Sequence, residues 1–248
     1  MRVVPARNAS PWTGQTGNNT FLLRGPIPTL VDAGVGDRDH LDEIASALDG
    51  VALELVLITH GHADHASGVP ALMSRWPGIR VLQHPGFGAR AIRAGDTALL
   101  PIHTPGHAPD HTCFFDVTSR DMYSGDLVRV GGTVVIPASR GGNLKDYLDS
   151  LLRVRALDPR RLLPGHGPII DDPLSVIDEY LSHRRMRQDQ ILAVLRAGPA
   201  TVAEITAALY PRLATDLTAA AADTVLAHLQ HLEQTGHATR SGVTWRAR

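Results

Sequence analysis

Three histidines and an aspartate lie together in the six-residue stretch His60-Gly61-His62-Ala63-Asp64-His65. They follow an apolar run from Leu53 to Ile58, which is interrupted only by Glu54. A short run rich in leucine, valine and isoleucine predicts a buried strand of an α/β sheet. The polar cluster therefore begins where this strand ends, at the edge of the sheet where α/β enzymes place their chemistry.

The spacing inside the cluster indicates metal binding. His60 and His62 are two residues apart, so in an extended backbone their side chains project to the same side. Asp64 and His65 come after a turn and face elsewhere, which favours two adjacent metal ions over one. The alternative, a solvated polar loop, requires four ligand-type residues to coincide by chance.

Three more ligand-type side chains occur in glycine-containing turns, each after a strand-like segment. They are His107 in a TPGH turn, Asp126 in an SGD turn and His166 in a PGHG turn. With the first cluster they make five histidines and two aspartates. This is a complete ligand set for two zinc ions, with room left for solvent.

In this order the motifs resemble those of the metallo-β-lactamase superfamily, over residues 1–170. The resemblance implies an α/β fold, the αββα sandwich, with two zinc ions per chain. It implies a first metal held by His60, His62 and His107, and a second held by Asp64, His65 and His166, with Asp126 bridging the two. It also implies a catalytic role for Asp64, which would orient a hydroxide shared by the metals.

The composition changes after Pro173, where the chain becomes helical and rich in alanine. The spacing of apolar residues and the positions of helix-breaking glycine and proline predict helices over 175–197, 202–209 and 217–234 and a hairpin over 237–246. This is the layout of a winged helix. The PGHGPII motif and the stretch from Tyr180 to Arg187 are similar to the beta-lactamase-like protein 2 group, whose members carry such a module. We therefore expect a catalytic domain over 1–172 and a winged-helix domain over 173–248.

The resemblance implies a metal-dependent hydrolase of a small-molecule or acyl-carrier substrate, with thioesters, esters and phosphodiesters all open. Asp126 stands where some antibiotic-cleaving relatives have a cysteine, which favours thioesterases and phosphodiesterases over lactamases. One branch of the group consists of endoribonucleases, so a single-strand-specific endoribonuclease is an alternative. A nucleic-acid-binding regulator with a vestigial metal site and a di-iron redox enzyme are further alternatives.

The charge pattern gives little support for a nucleic-acid partner. The formal net charge is −1, and residues 176–248 contain eight arginines and seven acidic residues. The predicted recognition helix, 217–234, contains no lysine or arginine. Because contacts between cations and phosphates supply most of the affinity for DNA, we interpret the module as a packing and substrate-shaping appendage.

Two other segments are candidates for substrate contact. His183, Arg184 and Arg187 form a polar face on the first C-terminal helix. This face would bind a phosphate or carboxylate near the metals, or would be solvated and paired with Glu179 or Asp189. The glycine-rich residues 129–142 have no clear periodicity, so we expect a mobile segment at the mouth of the site.

The N-terminal residues and the single cysteine are the features that bear on the cellular location of the protein. Residues 1–10 contain no apolar stretch of the kind found in signal peptides, and no apolar run reaches the length of a membrane span, so a cytoplasmic protein is expected. Cys113 has no partner for an internal disulfide and lies in an apolar run, where a small core residue is expected. The oligomeric state is left open.

Overall fold

Two five-stranded sheets form the centre of the computed structural model, which describes all of residues 1–248. The first sheet contains, in hydrogen-bonding order, β1 (Arg2–Pro5), β2 (Asn19–Leu23), β3 (Thr29–Val31), β4 (Leu55–Leu57) and β5 (Arg80–Leu82). The second contains β6 (Ile92–Ala94), β7 (Thr97–His103), β8 (Thr112–Asp116), β9 (Asp121–Gly125) and β10 (Arg161–Pro164), hydrogen-bonded in chain order.

Five helices accompany these sheets: α1 (Arg38–Leu48), α2 (Ala63–Ala66), α3 (Val69–Arg75), α4 (Leu144–Leu157) and α5 (Pro173–Ala197). The longer helices begin at polar caps that accept hydrogen bonds from otherwise unpaired amides. Asp37 accepts from the His40 N–H at 3.1 Å, and Asn143 accepts from the Asp146 N–H at 3.1 Å.

Alternation along the strands separates the core into layers. In β4, Leu55 and Leu57 pack with residues of the second sheet such as Phe114, whereas Val56 packs with Ile44 of α1. This is the period of two expected of a strand buried on both faces. Because α4 and α5 cover the outer face of the second sheet, the layers are helix, sheet, sheet and helix, and the predicted αββα sandwich is confirmed.

One edge of the sandwich collects the ends of several strands. β7, β9 and β10 all run in the same direction, because β8 is antiparallel to both β7 and β9 while β10 is parallel to β9. Their carboxyl ends therefore meet at one edge. The two sheets are hydrogen-bonded to each other there, from the Thr112 N–H to the Thr59 carbonyl at 2.8 Å and from the Asn19 N–H to the Gly165 carbonyl at 2.8 Å.

The C-terminal module has its own core. It consists of α6 (Val202–Leu209), α7 (Thr218–Gln234) and a small sheet of β11 (Ala200–Thr201), β12 (Ala238–Ser241) and β13 (Thr244–Ala247). Trp245 of β13 packs with Ile205 and Leu229 in this core. Helix α5 belongs to both parts, because its Tyr180 packs with the second sheet and its Leu195 with the module. The predicted winged helix is confirmed.

Several local features of the structure are not predicted from the sequence. Residues 63–75 form two helices, α2 and α3, which are separated at Gly68, and the Gly68 backbone approaches the Ala33 carbonyl too closely for any side chain. Strand β6 is not predicted. In α4, Val154 is fully buried, whereas Leu152 is 50% exposed. The segment expected to be mobile contains a 3-10 turn at 138–140, and its Ile136 is fully buried.

None of the helices combines the length with the apolar character needed to cross a membrane.

Candidate metal centre

Three imidazole nitrogens converge at the edge where the strands end. His60 Nε2 lies 3.0 Å from His62 Nδ1, and His107 Nε2 lies 2.9 Å from the same atom. Around a tetrahedral zinc ion, bonds of about 2.0–2.1 Å place such nitrogens roughly 3.3 Å apart. Burial lowers the pKa of all three histidines, that of His62 to about 4, so the rings are neutral and have a free lone pair, as a metal ligand requires. These residues are called the first triad.

A second triad adjoins the first. Asp64 Oδ2 lies 3.3 Å from His166 Nε2 and 3.6 Å from His65 Nε2. The three ligand atoms all lie within 4.8 Å of one another. Gly165, beside His166, has no room for a side chain, because a Cβ there would lie 2.6 Å from His65 Cε1. The PGHG turn therefore needs glycine at this position so that the backbone can pass behind the His65 ring.

Asp126 lies between the two triads. Its Oδ1 is 3.3 Å from both His65 Nε2 and His166 Nε2, and its Oδ2 is 3.6 Å from His107 Nε2. Oδ1 is buried and has no hydrogen-bond partner, which is costly for a charged oxygen. Burial acts to raise the pKa of this carboxyl, but His65 and His166 outweigh it and hold the pKa well below its usual value. A buried, ionised carboxylate oxygen without a hydrogen-bond partner fits a metal ion at the second triad, and Oδ2 faces the first triad.

Asp32 supports both triads from behind. Its Oδ2 lies 2.7 Å from His65 Nδ1 and accepts a hydrogen bond from the Thr59 hydroxyl at 3.0 Å. The same hydroxyl lies 3.0 Å from His60 Nδ1. Asp32 has a φ of 63°, in the left-handed region that few residues other than glycine adopt, and aspartate is among those that tolerate it. Through these contacts Asp32 and Thr59 hold the rings of His65 and His60 in place.

Three polar residues that the sequence analysis did not assign to the site also contact it. Asn18 Nδ2 donates to Asp64 Oδ2 at 3.1 Å, although the two residues are far apart in the chain. His111 Nε2 accepts from the Asp126 N–H at 3.0 Å, and burial lowers the pKa of His111 to about 3, so this ring is neutral. Asp110 Oδ2 accepts from the Gly61 N–H at 2.8 Å. His111 is the one with a sequence signal, because it is a polar residue just before an apolar strand.

Comparison with known families identifies the superfamily to which the fold belongs. The model of the metallo-beta-lactamase superfamily matches residues 13–87 and 77–166, which include all the residues of both triads and Asp126. The chain belongs to the metallo-beta-lactamase superfamily. The model of the beta-lactamase-associated winged helix domain matches residues 201–245 of this hydrolase.

Individual relatives agree with this placement. The hydrolase is 33% identical to lactamase-like protein aptB of Emericella nidulans, over 82% of this chain and 71% of that protein. It is 32% identical to the beta-lactamase-like protein 2 homolog of Caenorhabditis elegans, over 78% of this chain and 70% of that protein.

Two proteins of Aspergillus fumigatus named atrochrysone carboxyl ACP thioesterase are also similar. One is 32% identical over 73% of this chain and 44% of that protein, and the other is 29% identical over 87% and 76%. Among solved structures, a metallo-beta-lactamase family protein from Thermus thermophilus superposes with a TM-score of 0.83, covers 100% of this chain and 98% of that one, and shares 24% identity.

The three residues of the predicted polar face of α5 lie in different environments in this hydrolase. Arg184 is 1% exposed and donates from Nη2 to the Val134 carbonyl at 2.6 Å, so its guanidinium lies inside the protein. Arg187 lies over the ring of Tyr210 at 4.7 Å, and His183 beside it is half-buried. None of the three pairs with Glu179 or Asp189. Substrate binding by His183 and Arg187 stays a prediction, whereas Arg184 already has an internal partner.

Proposed function

We propose that this chain is a binuclear, zinc-dependent hydrolase that acts on acyl thioesters, with its catalytic function in residues 1–172 and a winged-helix domain in 173–248. The position of Asp126 carries the proposal, because its two oxygens face opposite triads. A carboxylate in this position offsets the repulsion between two dications and fixes their separation.

The chemistry of the ligands supports zinc. The first triad offers only imidazole nitrogens, and the second offers imidazole nitrogens and carboxylate oxygens, a donor set that zinc accepts. No thiolate takes part, since the single cysteine, Cys113, is fully buried in the core and burial raises its pKa to about 12. Bound zinc ions supply a Lewis acid and lower the pKa of water from 15.7 to about 7.

The two aspartates of the site differ in access, and this separates their roles. The Asp64 side chain is 29% exposed, compared with 15% for Asp126. Burial and the nearby Asp126 act to raise the pKa of Asp64, but the hydrogen bond with His166, together with His65 and Asn18, lowers it to about 2, so the carboxylate is ionised at neutral pH. We therefore assign Asp64 to orient the attacking water by accepting its hydrogen bond.

Two arguments favour a thioester as the substrate. Relatives named as acyl-carrier-protein thioesterases match this chain over most of its length. In addition, hydrolysis of a thioester forms one C–O bond from water and breaks one C–S bond, and the departing thiol does not need a strong general acid. An acyl group on a carrier protein or a small thiol is therefore the proposed substrate class.

A panel of generic substrates tests the proposal. Zinc-loaded protein is assayed with an acyl-N-acetylcysteamine thioester, a bis-aryl phosphodiester, single-stranded RNA and a β-lactam. We expect kcat/KM for the thioester to exceed that for the phosphodiester by about tenfold or more, which corresponds to about 1.4 kcal/mol of transition-state stabilisation. Cleavage of RNA together with no measurable thioester hydrolysis would instead establish the endoribonuclease alternative.

A further inference from the structure

The segment Val134–Ser139 links the metal ligands to the C-terminal module. On one side, the His107 Nδ1 atom lies 2.7 Å from the Val135 carbonyl oxygen, so the ring donates its N–H to that carbonyl. A histidine that binds a metal through Nε2 must carry its proton on Nδ1, and a partner for that N–H fixes both the tautomer and the ring orientation. The Val135 carbonyl therefore orients the ring of His107 in the first triad.

On its other side, the segment is held by residues of α5 and α7. Arg184 donates to the Val134 carbonyl. This carbonyl belongs to the peptide group next to the one whose Val135 carbonyl accepts from His107. The Ile136 N–H donates to the Thr224 hydroxyl at 3.3 Å. Asp223 accepts from the Ser139 hydroxyl at 2.8 Å. The peptide groups on both sides of Val135 are thus fixed by the C-terminal part of the chain. The Val134–Ser139 segment has no strand or α-helix of its own.

Arg184 has an unusual environment for a buried cation. It is 1% exposed, no acidic side chain forms an ion pair with it, and its Nε has no hydrogen-bond partner. The guanidinium lies over the ring of Tyr147 at 5.1 Å, and the nearby His228 is also buried. Burying an unpaired charge costs free energy, so this position is not explained by ion pairing. What the side chain does provide is a fixed, charge-assisted hydrogen bond to the Val134 carbonyl.

We propose that the winged-helix domain positions the metal ligand His107, with Arg184 and Thr224 holding the Val134–Ser139 segment so that the Val135 carbonyl faces His107 Nδ1. The inference rests on the proposed function in that His107 is taken as a metal ligand. Arg184 is a positioning residue, because it acts through the segment and touches neither metal ligand nor substrate.

The positioning role has a site-selective consequence. His65 and His60 are oriented by Asp32 and Thr59, which belong to the first sheet and the loop after β4. Only His107 depends on the Val134–Ser139 segment. Loosening the segment should therefore weaken the first triad, which needs His107, and leave the second triad unchanged.

The test compares Arg184→Ala with Arg185→Ala, which removes the same charge from the adjacent, exposed position of α5. Long-range ¹H–¹⁵N spectra of metal-free protein read the tautomer of His107, and zinc titration against a chelator then reads the stepwise affinities. The ring signals of His62 and His166 show which triad fills. In Arg184→Ala we expect a mixed His107 tautomer and about a 10-fold weaker first triad, since losing support for a ligand typically costs 10–100-fold.

Two further variants separate positioning from folding. Thr224→Val removes the acceptor of the Ile136 N–H without a charge change, and it should produce a smaller shift of the same kind. Arg184→Lys keeps a buried cation able to reach a carbonyl, and it should restore part of the affinity. Circular dichroism and thermal melts are run on every variant, so the comparison is made between folded proteins.

The inference fails if folded Arg184→Ala and Thr224→Val proteins keep the wild-type His107 tautomer, or if both triads weaken equally. A wild-type protein that binds no metal at the first triad overturns the proposed function instead. Because the tautomer is read without metal, it still decides the positioning role in that case.

Discussion

Replacing Asp32 with asparagine is expected to weaken metal binding at the second triad. Asp32 is 2% exposed, and its Oδ1 accepts from the Thr59 N–H at 2.8 Å while its Oδ2 accepts from His65 and from the Thr59 hydroxyl. Asparagine has nearly the same shape and tolerates a positive φ, so the backbone is retained. Its amide nitrogen, however, would face the Nδ1–H of His65, which favours moving the ring proton to Nε2, the atom that faces Asp64 and Asp126.

The magnitude follows from the contact that is lost. His65 is fully buried and its Nδ1 lies 2.7 Å from Asp32 Oδ2, so this is a desolvated, charge-assisted hydrogen bond. Hydrogen bonds to charged groups contribute about 1.5–3 kcal/mol. Because about 1.4 kcal/mol is a factor of ten in affinity, we expect roughly 10–100-fold weaker binding at the second triad.

Competition between zinc-binding sites and a chromophoric chelator measures both affinities. Asp116→Asn is the matched control, because Asp116 is also buried but accepts from the Thr118 N–H at 2.9 Å in the turn after β8, at the opposite end of that strand. The control should keep both wild-type affinities. Unchanged binding in Asp32→Asn, or weakening confined to the first triad, would refute the reasoning.

Three more predictions concern Asp126, His40 and the C-terminal module. Asp126→Ala should lose at least one metal and lower hydrolysis by orders of magnitude, measured by elemental analysis and rates, because one carboxylate serves both triads. Burial lowers the pKa of His40 from 6.5 to about 4. Because the unfolded chain takes up a proton at this histidine first, the free energy of unfolding should fall by about 3 kcal/mol as the pH falls between those values. In urea unfolding, His40→Gln should show a shallower dependence of this free energy on pH. Duplex DNA should bind only weakly at physiological salt, and nanomolar affinity for a defined duplex would contradict the interpretation of α7.

The part of the candidate site that sequence could predict is local. The proposed ligands follow the ends of apolar strands, and His107, Asp126 and His166 lie in turns whose glycines have a structural reason. Gly165 makes room for His65, and Gly106 lies against the Tyr147 backbone with a φ of 137°. Helix periodicity likewise predicted the winged helix, because this pattern depends on near neighbours in the chain. The sandwich of two sheets was expected from the resemblance to the superfamily.

The contacts that sequence could not predict join distant segments. Asn18 lies in a loop without periodicity, and only the pairing of the two sheets brings it to Asp64. Arg184 follows the spacing of a solvated helix face, yet it is buried because the Val134–Ser139 segment covers it. That segment contains several glycines and was expected to be mobile, since nothing in its own residues indicates that α5 and α7 hold it.

The number of metal ions bound per chain tests the binuclear centre most directly. Protein purified without added metal is loaded with excess zinc, freed of unbound metal by gel filtration and measured by elemental analysis against protein concentration. Two triads that share Asp126 predict a value approaching two zinc ions per chain. A value that stays at one under excess zinc would mean that Asp64, His65 and His166 do not form a metal site, and the binuclear account would be wrong.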